Sequence, residues 1–168
     1  MSRAPVGDAH DESRVSEIVQ RWSRSWEHAS SLLGVEHQSL PDDRGHYHWL
    51  VRLRGEERDV VTVWLALRQR SVHVECEITP APERNVEEIY RYVLAKNAEL
   101  RELHVALGPE AGLYLVAHVP INEFTSERLD ELMGAALLTV DELYPTIMVS
   151  GFSWFRRRPR REGPRDSV

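Results

Sequence analysis

Apolar positions along this chain change their period several times, and each change marks the edge of an element. From Ser13 they recur at helical spacing, with Val15, Ile18, Val19, Trp22, Trp26, Ala29 and Leu33 on one face and Gly34 as the stop. Alternation then takes over in His46–Arg54, Asp59–Arg68 and Ser71–Ile78. Tyr47, Trp49, Val51 and Leu53 share a side, as do Val61, Val63, Leu65 and Leu67, and Val72, Val74, Cys76 and Ile78. The links between these runs are short enough for an antiparallel meander. After the breaker TPAPER, Asn85–Leu100 returns to the helical period, with Val86, Ile89, Tyr90, Val93, Leu94, Asn97 and Leu100 on a stripe about 140° wide. Asn85 three residues before Glu88 has the form of a capping box, which predicts a well-marked start to a central helix lying across the sheet. Two more alternating runs, Glu102–Leu107 and Gly112–Val119, predict a hairpin. Thr125 then caps a third helix, Phe124 and Leu129 staple it, and Pro145 is expected to stop it.

The order α-β-β-β-α-β-β-α predicts an α+β domain with one five-stranded, mainly antiparallel sheet and helices on one face. It is expected to occupy residues 13–155, between a disordered segment 1–12 and a disordered arginine-rich tail 156–168. Sheltering one side of the sheet leaves the other for binding, and Arg52, Arg54, Trp64, His73, Glu75, Tyr114 and His118 are the residues expected there. Trp64 is the candidate anchor, because an aromatic among charges suits an interface. Leu138 lies off the apolar stripe of the third helix and is a second candidate contact. Asn97, within an apolar stripe, is expected to bond to backbone at the start of the 102–107 strand.

Charge alters the picture mainly at the C-terminus. The 168 residues carry a net charge of −6, yet Arg156, Arg157, Arg158, Arg160, Arg161 and Arg165 give the last thirteen positions +4 and leave the body at −10. An acidic body repels nucleic acid, so contact with nucleic acid or an anionic membrane would have to come from that tail. No apolar run approaches the roughly 20 residues of a membrane span, and the N-terminal MSRAPVGDAHDESR has no apolar core of a secretory leader. A single cysteine, Cys76, fits a reducing cytoplasm. Twenty arginines against one lysine read as the coding bias of a GC-rich, bacterial genome.

Eight histidines raise the question of a metal. His46 and His48 share one strand face, His73 sits with Glu75 and Glu77 on another, and His104 and His118 are expected as cross-strand neighbours. No dense ligand motif accompanies them, so no metal or cofactor is expected. Cys76 alternates with apolar residues and reads as a small hydrophobe. Glycine-rich phosphate loops, nucleophile elbows and dinucleotide fingerprints are missing, and no catalytic residue is assigned.

The helix NVEEIYRYVLAKN, the strand LYLVAHVP and the helix LDELMGAALLTVDELYP together resemble the YbjN family, whose members share the fold of type III secretion chaperones. The resemblance covers about Trp22 to Phe152. It implies the same element order, a tendency to dimerise and a surface for a protein or peptide, with no catalytic residues to carry over; "sensory transduction regulator" is a label some members bear. The expectation is a non-enzymatic binding module, chaperone-like or regulatory and homodimeric, with an unspecified protein partner. The alternative is a nucleic-acid-associated or signalling regulator working through the basic tail.

Overall fold

The computed structural model describes residues 9–26 and 29–156. Along the chain run α1 (Ala9–Ser25), β1 (Leu32–Gln38), β2 (Tyr47–Leu53), β3 (Val61–Arg68), β4 (Ser71–Thr79), α2 (Val86–Asn97), β5 (His104–Leu107), β6 (Leu113–Pro120) and α3 (Ser126–Gly151). The fold is α+β, with one sheet in the order β1-β2-β3-β4-β6-β5 and every neighbouring pair antiparallel. It has six strands, not the expected five. The extra strand is β1, in a stretch whose Leu33 and Gly34 matched the end of a helix; α1 instead stops at Ser25, and Gly34 sits beside a β-bulge. At its other end α1 begins at Ala9, so residues 9–12, expected to be disordered, are helical.

Alternation in the strands becomes a register of facing rows. Val35, Val51, Val63, Cys76 and Leu115 lie across one another, as do Trp49, Leu65, Val74 and Ala117. These rows and the apolar faces of the three helices form one core. The central element is α3 rather than the 85–100 helix. Eleven of its 26 residues are buried, whereas α2 buries Ile89 and Val93 and leaves Leu94 65% exposed. By length and composition α3 could also cross a membrane, but half of its most apolar window is buried against this domain, as a core helix is.

Two end-of-helix signals also read differently in three dimensions. Pro145 lies inside α3, which continues to Gly151 because Ile147, Met148 and Gly151 pack into the core. Asn85 sits in the left-handed region at φ 52° and makes no side-chain cap; its Nδ2 donates to the Ser150 carbonyl at 2.9 Å. The backbone N–H groups of Glu83 and Arg84 donate to the Gly151 carbonyl, so the start of α2 ties off the end of α3.

α1 is held to the rest by side chains of mixed character. Both indole N–H groups of Trp22 and Trp26 donate to Asp130 Oδ1 on α3, at 3.1 and 2.5 Å. His37 of β1 stacks on Trp49 with centroids 4.9 Å apart and approaches Glu12 of α1 at 3.1 Å.

Candidate functional site

The face of the sheet turned from the helices carries the even-numbered residues of β2, β3 and β6, interleaved with odd-numbered residues of β4. Trp64 lies opposite Leu50 and Glu75, Ala66 opposite His48 and His73, and Glu77 opposite Tyr114. This side is neither bare nor sealed. Ala66 and His73 are 7% and 8% exposed, while Trp64 stands up at 49%. Larger neighbours cover the floor of the face, and Trp64 is left as a projecting apolar ring.

Trp64, His73, Glu75 and Tyr114 border one hollow of about 400 Å³, together with Asp42 and Arg68 among others. The Tyr114 ring is held over this face by two glycines. A Cβ on Gly108 would come within 2.3 Å of its Cδ2, and one on Gly112 within 2.9 Å of its Cε2. Burial, with the nearby Glu77 carboxylate, pushes the Tyr114 phenol up from its ordinary range, because both disfavour the phenolate. His73 Nδ1 meets His118 Nε2 at 2.6 Å, with Glu75 Oε2 3.5 Å from the other His73 nitrogen. Desolvation, aided by the Arg68 and His118 charges, lowers His73 to about 4, so it is neutral at ordinary pH.

Other expected site residues lie apart from this hollow. Arg52 pairs with Glu36 across the β1–β2 ladder, and Arg54 lies past the end of β2 with its N–H bonded to Ser31. His104 is opposite Val116 rather than His118, whose cross-strand partner is His73; the register of the 102–107 strand is shifted from the one expected. Asn97 donates through Nδ2 to the Val105 carbonyl at 3.0 Å and accepts from the Val105 N–H at 2.6 Å. Cys76 is fully buried, and burial pushes its thiol up to about 12. Among the described residues, no group of three His, Cys, Asp or Glu could hold a metal ion. Of the tail, Arg156 is exposed; Arg157, Arg158, Arg160 and Arg161 lie outside the described residues.

Sequence reasoning missed the rim. Asp42 accepts from the N–H groups of Arg44 and His46 at 2.8 and 2.9 Å and from His48 Nε2 at 2.8 Å. These bonds, that from His46 first, hold its carboxyl well below the usual carboxylate range. The run Pro41-Asp42-Asp43-Arg44-Gly45 signals such a turn, with Gly45 at φ 81°, but its position over the sheet depends on β1. Arg68 ends β3 and Arg70 lies in the two-residue turn into β4; the sequence marks the first only as a strand end and the second only as part of a short link.

A family model described as "Putative bacterial sensory transduction regulator" (YbjN) matches residues 27–148. An uncharacterised protein of Mycobacterium leprae is 30% identical over 74% of this chain, and one of Mycobacterium tuberculosis is 27% identical over 61%. The chain spans 66% and 56% of the lengths of these relatives. Among solved structures, the heterodimeric ExoU–SpcU complex of the Pseudomonas aeruginosa type III secretion system contains a similar chain. The TM-score is 0.52 at 11% identity, covering 79% of this chain and 99% of that one. The Yersinia pestis type III secretion chaperone SycH, in complex with a stable fragment of YscM2, gives 0.50 at 16%, covering 77% and 98%. At these identities the likeness is one of fold.

Proposed function

The chain belongs to the YbjN family, and from that premise we propose that it is a non-enzymatic protein-binding module of the bacterial cytoplasm. It works as a homodimer and takes its partner on the open face of the sheet. The observation that carries this reading is the asymmetry of the sheet. On one side the strand side chains are packed beneath helices; on the other, a tryptophan 49% exposed rises among Leu50, Ala66, His73 and Glu75, with no helix of the described residues packed over it. A large ring surrounded by polar groups is the composition of an interface anchor. The two solved neighbours of the same fold come from complexes with protein partners, which supports a partner of that class.

The test is retention of a partner from native lysate by tagged protein, wild type against Trp64→Ala. The variant is expected to keep the wild-type circular dichroism and melting temperature while losing most of the retained partner. Equal recovery by both forms would refute the open-face reading. So would an unfolded variant, since Trp64 would then be a structural residue.

A further inference from the structure

Beside the Trp64 hollow, at the β3–β4 turn, lies a second and larger depression of about 780 Å³. Arg44, Arg68, Arg70, His46, His118 and Ser71 border it, and its lining contains no carboxylate. The arginines come from three places: the β1–β2 loop, the end of β3 and the two-residue turn into β4. Among the described residues, arginine ion pairs are made by Arg52, Arg58, Arg91 and Arg128, and by none of these three. In a body with a net charge of −10, this lining gathers positive charge, with the carboxylates of Asp42 and Glu75 in the adjoining hollow that Arg68 also borders. Like charges so gathered repel, and an entering anion removes that repulsion while offering each fork a carboxylate.

Backbone contacts hold the rim in place. The Arg44 N–H is bonded to Asp42, the Arg70 carbonyl accepts from the Ile121 N–H at 3.0 Å, and Arg68 is paired with Ser71 in the ladder. The backbone that carries the three arginines is therefore fixed, and among the described residues their side chains make no ion pair. Arg68 also borders the Trp64 hollow, so the two depressions share a wall.

We infer that the arginine depression receives an acidic segment of the partner protein. Its carboxylates meet Arg44, Arg68 and Arg70, and a neighbouring apolar or aromatic residue sits against Trp64 and Tyr114. This inference rests on the protein-binding reading and specifies the chemistry of the partner. Nucleic acid fits less well, because its evenly spaced phosphates would extend past three cations onto an acidic body.

The test uses the full-length protein and a fluorescein-labelled peptide of one tryptophan followed by four glutamates, read by fluorescence polarisation. Controls are the same peptide with glutamine or lysine in place of glutamate. The glutamate peptide is expected to bind at least about tenfold more tightly than either control, and to weaken as salt rises from about 50 to 300 mM. Arg68→Gln with Arg70→Gln should weaken it at least about tenfold without shifting the thermal melt. Equal binding of the glutamine peptide, or an unchanged double variant, overturns the inference. Displacement by inorganic phosphate or a short single-stranded oligonucleotide at lower concentration than by unlabelled peptide also overturns it. If Trp64→Ala abolishes partner retention and the arginine double variant does not, the acidic segment is refuted and the open-face reading stands. If neither variant affects retention, both fall.

Discussion

Replacing Asn97 with alanine isolates a device that holds α2 to the edge of the sheet. Val105 is opposite Leu115 of β6, yet its N–H and carbonyl are both bonded to the Asn97 amide, so they point out of the sheet. Asn97 thus completes the ladder where a seventh strand would lie. Alanine removes both bonds, each worth about 1 kcal/mol net, for a loss of about 2 kcal/mol. The side chain is only half-buried, so water can reach the freed groups and keep the cost below that of two dry orphans. For a domain of this size the melting temperature should fall by roughly 4–8 °C. Urea unfolding followed by circular dichroism gives the free energy, and hydrogen exchange gives its location. The Val105 amide should lose protection well before the Val74 amide in the middle of β4. An Asn97→Ala protein within about 0.5 kcal/mol of wild type, with Val105 still protected, would show that the amide contributes nothing to the edge.

Two other expectations concern assembly and pH. Leu138 is 74% exposed on α3, so Leu138→Glu should cost the monomer under about 0.5 kcal/mol and, in the proposed homodimer, shift sedimentation from dimer to monomer; a dimer of unchanged strength would remove this helix surface from the interface. His73 is held near pH 4 in the folded state against about 6.5 when unfolded. Between those values the unfolded chain binds the extra proton, so stability is complete above about pH 6.5 and declines as pH falls towards 4. His73→Gln should flatten that decline in denaturant titrations across the interval, and an unaltered slope would refute the assignment.

The strands were legible because the sheet is one-sided. With helices over a single face, alternation survives in β2, β3, β4 and β6, and their core rows can be read directly from the sequence. β1 was hidden for the opposite reason. As an edge strand its seven residues are mostly exposed, their apolar positions do not alternate, and Leu33-Gly34 imitates the end of a helix. The rank of α2 was misjudged because an apolar stripe states what a helix offers, not what covers it, and Leu94 is covered by little. Pro145 misled because local propensity is outweighed when the following turns pack deeply. At the candidate site, Trp64, His73, Glu75 and Tyr114 followed from strand parity. The arginine rim did not, since it needs the β1–β2 loop and the β3–β4 turn to meet across a distance no periodicity reports.

The topology also indicates how a partner can approach. β4 and β5 run parallel with β6 between them, so α2 is a crossover, and its preferred right hand places it over one side of the sheet. α1 and α3 join that side in the same core, which commits the three α-helices of the described residues to one layer. The two sheet edges are then left, and both are guarded. β5 is four residues long with Asn97 occupying the Val105 backbone, and β1 carries a bulge, with Glu36, His37 and Gln38 exposed along it. Short length, bulges and exposed polar side chains all discourage strand addition. Facial contact is the mode the proposed function calls for: Trp64 would supply the apolar area, and Arg44, Arg68 and Arg70, which make no ion pair among the described residues, would supply orientation. A partner that docks in this way protects the open-face side chains, beginning with Trp64, while amide exchange along β1 and β5 stays at its free rate. Slowed exchange along either edge on binding would mean that a strand had been added after all.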